Sequence, residues 1–174
     1  MRNTAGLIAH GPRAYPLDTL SISGPMARNT EDLALMLDAM KGLDARDPIS
    51  ISVKEPAFKK AIGAEPNVKK IAWTKDFNFL PCDQKVSDIL IDLIAKIESM
   101  GFETNNDSPD LNDSEHIFQV LRANLYACEK KELIEKHKNS LKPEVIWNIE
   151  KGLKLSKKEI EEAESARYAL QKRV

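Results

Sequence analysis

Residues 69–106 constrain the fold more tightly than any other stretch. Lys69-Lys70-Ile71-Ala72-Trp73-Thr74 is a short apolar run behind two basic residues, the pattern of a strand. Pro81 and Asp83 then open a helix whose Val86, Leu90, Leu93, Ile94 and Ile97 recur at helical spacing. Lys85, Asp88, Asp92 and Lys96 lie off that face. Gly101 ends the helix, and Phe102-Glu103-Thr104 begins a second short strand. Strand, helix, strand is a βαβ unit, so the two strands should be parallel with a right-handed crossover. The class is therefore α/β.

The flanking segments differ from this unit and from each other. Residues 1–24 read as loop, punctuated by Gly6, Gly11, Pro12, Pro16 and Gly24. Gly24-Pro25 is a turn, and Pro25 brings no backbone donor. A helix opens at Asn29, with Asp32 three residues on in an arrangement close to a capping box. Leu33, Met36, Leu37 and Met40 mark one face of it, and Gly42 stops it after Lys41. Pro48 to Pro66 reads as a surface crossing with one helical turn around Ala57 to Ile62. Beyond Pro109 only helices are expected. Ser114 caps one that carries Ile117, Val120, Leu121, Leu125 and Cys128, before a polar run from Glu129 to Asn139. Pro143 sits at a first helical position, followed by Val145, Ile146 and Ile149 before Gly152. Ser156 and Glu159 form an S-x-x-E capping box for a last helix with Ile160, Ala163, Arg167 and Leu170 on one side.

The wording of residues 17–50 is more specific than its periodicity. Leu17-Asp18-Thr19-Leu20-Ser21-Ile22-Ser23 leads into Gly24-Pro25-Met26-Ala27-Arg28, and Gly42-Leu43-Asp44-Ala45-Arg46-Asp47-Pro48-Ile49-Ser50 follows the helix. The whole resembles the amidase signature family, whose members hydrolyse amide carbon–nitrogen bonds with a lysine–serine–serine triad. The Lys70-Ile71-Ala72-Trp73 strand, the Leu80-Pro81-Cys82-Asp83 helix entry, Met100 to Glu103, Pro109-Asp110 and Gly152 to Ser156 with Arg167 fit the same family, more faintly beyond residue 110. The resemblance implies a partial mixed sheet with flanking helices. It implies one partial amidase-like domain over residues 1–174, made of the turn and helix of 1–50, the βαβ unit of 69–106 and a helical part of 113–174. Gly24, Pro25, Arg28 and Asp32 are its structural motif residues, with Arg28 an anchor near the active-site wall. Arg28 and Asp32 are also four apart, where an exposed ion pair contributes about 0.3–0.5 kcal/mol.

The resemblance also implies chemistry that these residues do not supply. Amide hydrolysis needs an activated nucleophile and an oxyanion site. The family's serines and oxyanion donors lie in a Gly/Ser-rich stretch upstream of Gly-Pro-Met-Ala-Arg, and only 23 residues precede Gly24. The chain has seven glycines, no two adjacent, and no Gly-Gly-Ser string. Ser21 and Ser23 belong to the approach to the turn and read as loop. No residue matches the catalytic lysine or either catalytic serine, so no catalytic residue is assigned. Both ends read as cut, since Val174 closes a helix where the family continues. A large apolar area, normally covered by missing strands, is expected to be exposed or filled by a partner.

Other site classes find little support. His10, His116 and His137 are scattered without ligand spacing, His10 reading as a solvated loop residue, so no metal site is expected. Cys82 and Cys128 form no C-x-x-C pair and leave a disulfide undecided. Arg46-Asp47-Pro48 reads as helix-exit packing, and Trp73 and Trp147 as core or interface packing. Lys157, Lys158, Glu159, Glu161, Glu162 and Glu164 read as a solvated charged face. A net charge of -1 gives no electrostatic case for nucleic acid or an anionic membrane. No signal peptide or spanning segment is apparent, which makes the expected location cytoplasmic. No cofactor is expected. The partners implied are a complementary amidase segment or a second copy, with a small amide substrate only in an assembled enzyme. A non-catalytic interaction module and one part of a multi-subunit amidotransferase are the alternatives. The Leu-Ser-Ile-Ser stretch before Gly24 departs from the shorter spacing usual in the amidotransferase member of the family.

Overall fold

The computed structural model describes residues 1–11, 15–53, 58–65 and 67–174. The chain forms two compact units, Met1–Glu65 and Pro66–Val174.

Among the described residues the first unit contains one α-helix, α1 (Thr30–Met40), and one short 3-10 turn, Phe58–Ala61. Asn29 caps α1: its side-chain oxygen accepts from the Asp32 N–H at 2.8 Å, and its amide nitrogen donates to the Asp32 carboxylate at 2.9 Å. That reciprocal arrangement is the expected box, closed between side chains. The buried side of α1 is narrower than its periodicity suggests. Ala34 and Leu37 are buried, Leu33 is half-buried, and Met36 and Met40 are exposed. Leu37 packs with Leu7 and Ile8 in a small core, against which Val53 and Phe58 lie. Of the turn expected around Ala57 to Ile62, Ala57 lies outside the described residues, as do Lys54, Glu55, Pro56 and Pro66. Asp38 ties this turn to α1 by accepting from the N–H groups of Phe58 and Lys59, both at 2.8 Å.

The second unit begins with the βαβ unit. β1 (Lys70–Trp73) and β2 (Glu103–Asn106) are parallel, in register from Lys70 opposite Glu103 to Trp73 opposite Asn106. α2 (Gln84–Ser99) joins them, with the Asp83 carboxylate accepting from the Lys85 N–H at 2.8 Å. The expected face of α2 divides in two. Leu90 and Ile97 are half-buried and Ile94 is buried, alongside Ser87, whereas Val86 and Leu93 point to solvent with Ile89. A helical period locates apolar positions without saying which of two stripes has a neighbour.

α3 (Ser114–His137), α4 (Pro143–Lys154) and α5 (Lys157–Arg173) follow, with α4 and α5 both packed on α3. The polar run after Cys128 continues α3 rather than ending it. Ser114 is its first residue and not its cap; Asp113 holds that position in a left-handed conformation, φ 68°, without a side-chain capping bond. Ile117, Val120, Leu121, Ala123 and Ala127 are buried along α3. Gly152 lies inside α4 because the helices meet there: a Cβ would fall 2.0 Å from the Ala123 carbonyl oxygen. The Ser156–Glu159 box is complete, Ser156 Oγ accepting from the Glu159 N–H at 3.2 Å and the Glu159 carboxylate accepting from the Ser156 N–H at 2.8 Å. Ala163 is the buried residue of α5, and Lys157–Glu161 and Lys158–Glu162 pair on its exposed side. Trp147 is not a core residue of this chain: it is 52% exposed, with the Lys151 ammonium 4.8 Å from its ring centre. Cys82 and Cys128 form no disulfide.

Candidate functional site

The motif residues sit where loop gives way to α1, and their local structure follows from close backbone approach. Met1 lies against Gly24, its amino group donating to the Pro25 carbonyl at 2.8 Å. A Cβ on Gly24 would fall 1.9 Å from the Met1 carbonyl oxygen, so only glycine fits this approach. Pro25 is among the most deeply buried side chains of the chain. Both residues therefore shape the backbone and present no reactive group.

Arg28 and Asp32, in contrast, line a wide open groove of about 590 Å³ with Met26, Ala27, Leu35 and Met36. Met26 is 85% exposed and Leu35 51%. The lining is mostly apolar, with one guanidinium and one carboxylate. Among the described residues that line it there is no serine, cysteine, histidine or lysine. Asp32 is engaged by Asn29, and among the described residues no ion pair joins it to Arg28. The expected local pair does not form. Met26 belongs to the Gly-Pro-Met-Ala-Arg motif, whereas Leu35 and Met36 belong to no motif, and the hint for them is that α1 has more apolar residues than one face can bury.

The loop after α1 is held by its own polar groups. Arg46 donates to Asp44 through Nε at 3.0 Å and Nη2 at 2.6 Å, and the Asp44 N–H donates to Ser50 Oγ at 2.9 Å. The Arg46 side chain brings the Asp44 carboxyl down from 3.8 to about 2, and Asp44 in turn raises the Arg46 guanidinium. Asp47 is buried and accepts from the His10 N–H at 2.7 Å and the Ile49 N–H at 3.1 Å. The Arg46-Asp47-Pro48 stretch thus joins the helix exit to the N-terminal loop, as packing.

Ser21, Ser23, His10, Asp18 and Asp47 also come together around a second, enclosed hollow. Its composition suggests nucleophile chemistry, and its geometry does not. The hollow holds about 10 Å³, no more than one water molecule. Asp47 uses its two oxygens on backbone N–H groups, and Asp18 accepts from the Leu20 and Ser21 N–H groups at 3.1 and 3.2 Å. His10 Nδ1 is buried without a hydrogen-bond partner. Among the described residues no aspartate–histidine side-chain bond exists to orient the imidazole toward a serine. His10 is half-buried against the Asp47 side chain through its backbone, not solvated as expected. Among the described residues no three His, Cys, Asp or Glu side chains gather as a metal site would require.

Comparison with known proteins places this arrangement. The amidase family profile matches residues 1–173. The chain is 28% identical over 130 residues to an acylamidase of Rhodococcus erythropolis, a match covering 74% of this chain and 27% of the relative. It is 32% identical over 109 residues to a subunit of the glutamyl-tRNA(Gln) amidotransferase of Clostridium botulinum (strain Loch Maree / Type A3), covering 63% of this chain and 21% of that relative. It thus spans about a quarter or less of these relatives. Among solved structures, a bacterial aryl acylamidase of the amidase signature enzymes superposes with a TM-score of 0.82 at 18% identity, over 96% of this chain and 36% of its own. The 6-aminohexanoate cyclic dimer hydrolase, complexed with substrate, gives 0.72 at 14% identity, over 96% and 38%. Over residues 1–173, the chain belongs to the amidase family.

Proposed function

We propose that this chain is a scaffold segment of an amidase-family hydrolase, one that lies downstream of the Gly/Ser-rich catalytic stretch. Alone it hydrolyses no amide. The observation that carries this reading is the hollow around Ser21 and Ser23, which is too small for a substrate and whose carboxylates are spent on backbone N–H groups. Gly24 and Pro25 set the entry to α1, and Arg28 and Asp32 border the apolar groove at that entry as scaffold. The two compact units are parts of one amidase domain, and the nucleophile, its lysine and the oxyanion donors come from a complementary amidase segment. Once assembled, the enzyme takes a small amide. No metal or cofactor is called for by a lysine–serine–serine mechanism. Among the described residues no helix is long and apolar enough to cross a membrane; a cytoplasmic setting is part of the same reading.

The test is activity against simple anilides and primary amides, first with the purified 174-residue chain and then with the chain mixed with a complementary amidase polypeptide. The reading expects turnover only in the mixture. A second reading, one part of a multi-subunit amidotransferase, draws on the 32% identity to an amidotransferase component. The Leu20 to Ser23 stretch argues against it, and co-purification with further amidotransferase components would favour it.

A further inference from the structure

A hollow between α3 and α4 gathers polar groups that the scaffold reading leaves unused. It holds about 350 Å³ and is lined by Gln119 and Arg122 of α3 and by Pro143, Glu144, Trp147 and Asn148 of α4. We propose that it binds a free amino acid with an apolar side chain. Arg122 takes the carboxylate, Glu144 takes the ammonium with Asn148 and Gln119, and the side chain lies against Trp147.

Arg122 is a guanidinium held in place without being used. Phe118 and Tyr126, four residues before and after it, share its side of α3. The guanidinium lies 5.4 and 5.7 Å from their ring centres. Such ring contacts fix a cation and leave its N–H groups open. Among the described residues Arg122 makes no hydrogen bond and no ion pair. A guanidinium fork so held is complementary to a carboxylate.

The groups from α4 ask for the opposite partner. Asn148 is 1% exposed. Its Nδ2 donates to the Glu144 carbonyl at 2.7 Å, which settles which end of the amide is oxygen. Oδ1 is then left without a hydrogen-bond partner, and so is the buried Oε1 of Gln119. Buried acceptors are ordinarily satisfied, so two at one hollow call for a donor. The exposed Glu144 carboxylate has no ion pair among the described residues. Two carbonyl oxygens and a carboxylate match an ammonium, which has three donors and no acceptor.

Neither half of the ligand serves the hollow alone. A carboxylate without an amine leaves the acceptors unpaired, and an amine without a carboxylate leaves Arg122 unpaired and is repelled by it. Trp147, exposed at the same hollow, provides the apolar plane for the ligand's body.

The test titrates phenylalanine into the full 174-residue chain, followed by calorimetry and by the indole and side-chain amide signals in heteronuclear NMR. Two further probes keep the ring and lose one charge: phenylpropionate lacks the ammonium, and phenethylamine lacks the carboxylate. Phenylalanine should saturate and bind at least tenfold more tightly than either, shifting the Trp147 and Asn148 signals and not the Trp73 indole. Arg122→Gln should weaken phenylalanine at least tenfold and leave phenethylamine within twofold. Glu144→Gln should weaken phenylalanine similarly and leave phenylpropionate within twofold. Circular dichroism of both variants should match the parent, and Arg122→Lys, which keeps the charge without the fork, provides a milder change in case Arg122→Gln does not. Phenylalanine that fails to saturate, or that binds parent and variants equally, overturns the site. Phenylpropionate binding as tightly as phenylalanine names a plain carboxylate site, phenethylamine doing so names an amine site, and either overturns the proposal. None of these outcomes involves amide hydrolysis, so the scaffold reading stands or falls by its own test.

Discussion

Residues 1–65 and residues 67–174 reach order by different means. Among the described residues the first unit has one α-helix and a core of Leu7, Ile8 and Leu37, and most of its specificity lies in carboxylates that hold backbone N–H groups: Asp38 on the turn at Phe58, Asp44 and Asp47 in the loop after α1. The helical part of the second unit depends on close contact, with α4 pressed onto α3 where Gly152 meets Ala123 and with Ile149 fully buried. A loop-rich segment lacks secondary-structure partners for its N–H groups, so side chains must supply them. Packed helices satisfy their own backbone and depend instead on shape.

The largest effect should come from contradicting shape. Gly152→Ala places a Cβ 2.0 Å from a backbone oxygen that cannot move alone. It should cost about 3 kcal/mol or more, given what overpacking costs in cores. Urea unfolding should register this loss, and hydrogen exchange should localise it to α3 and α4 while α1 keeps its protection. Equal loss in both units would erase the contrast between them.

Leu37→Ala tests the small core of the first unit. The residue is 2% exposed, and large-to-small changes at such sites cost about 2–4 kcal/mol. Exchange of the α1 amides should accelerate, with those of α3 unchanged. Ser156→Ala is milder. It removes one partner of the capping box and should lower stability by about 1 kcal/mol, seen as fraying of the first turn of α5.

The carboxylate anchors give the smallest effect and the most local. Hydrogen bonding from Lys41, with the Lys59 and Phe58 N–H groups, lowers the Asp38 carboxyl from 3.8 to about 2. A depressed folded-state value means stabilisation that is present above the ordinary carboxyl value of 3.8 and is lost as pH falls through about 2. The Phe58 and Lys59 amides should therefore lose protection across that window. In Asp38→Asn their protection should be low already at neutral pH and should not change further. A parent whose Phe58 amide stays protected below that window would remove Asp38 as the anchor.

The sequence made legible the parts of the fold whose cause is local. Asn29, Asp83, Pro143 and the Ser156–Glu159 box act within one turn, and each marks the helix start seen in the structure. The parallel βαβ pairing was legible as well, because the order of elements leaves few connections. What depended on a neighbour was not. Nothing local tells that Gly152 continues a helix by touching Ala123, that Asp113 rather than Ser114 holds the cap position of α3, or that Val86 and Leu93 stay exposed beside buried Ile94. Periodicity records that a position is apolar; only packing decides what covers it. The same limit applies to the groove, since Met36 has the spacing of a core residue and lines an open surface instead. Ser21 and Ser23 were readable as loop residues because they lie in the approach to the Gly24-Pro25 turn.

The central claim is that a hydrolase scaffold is present here without a group able to attack a carbonyl. Its most direct measurement is single-turnover hydrolysis of an anilide by the purified chain at high protein concentration, beside the Ser21→Ala and Ser23→Ala variants. The account predicts that parent and variants alike release amine no faster than buffer. Release by the parent that disappears in either serine variant would contradict it.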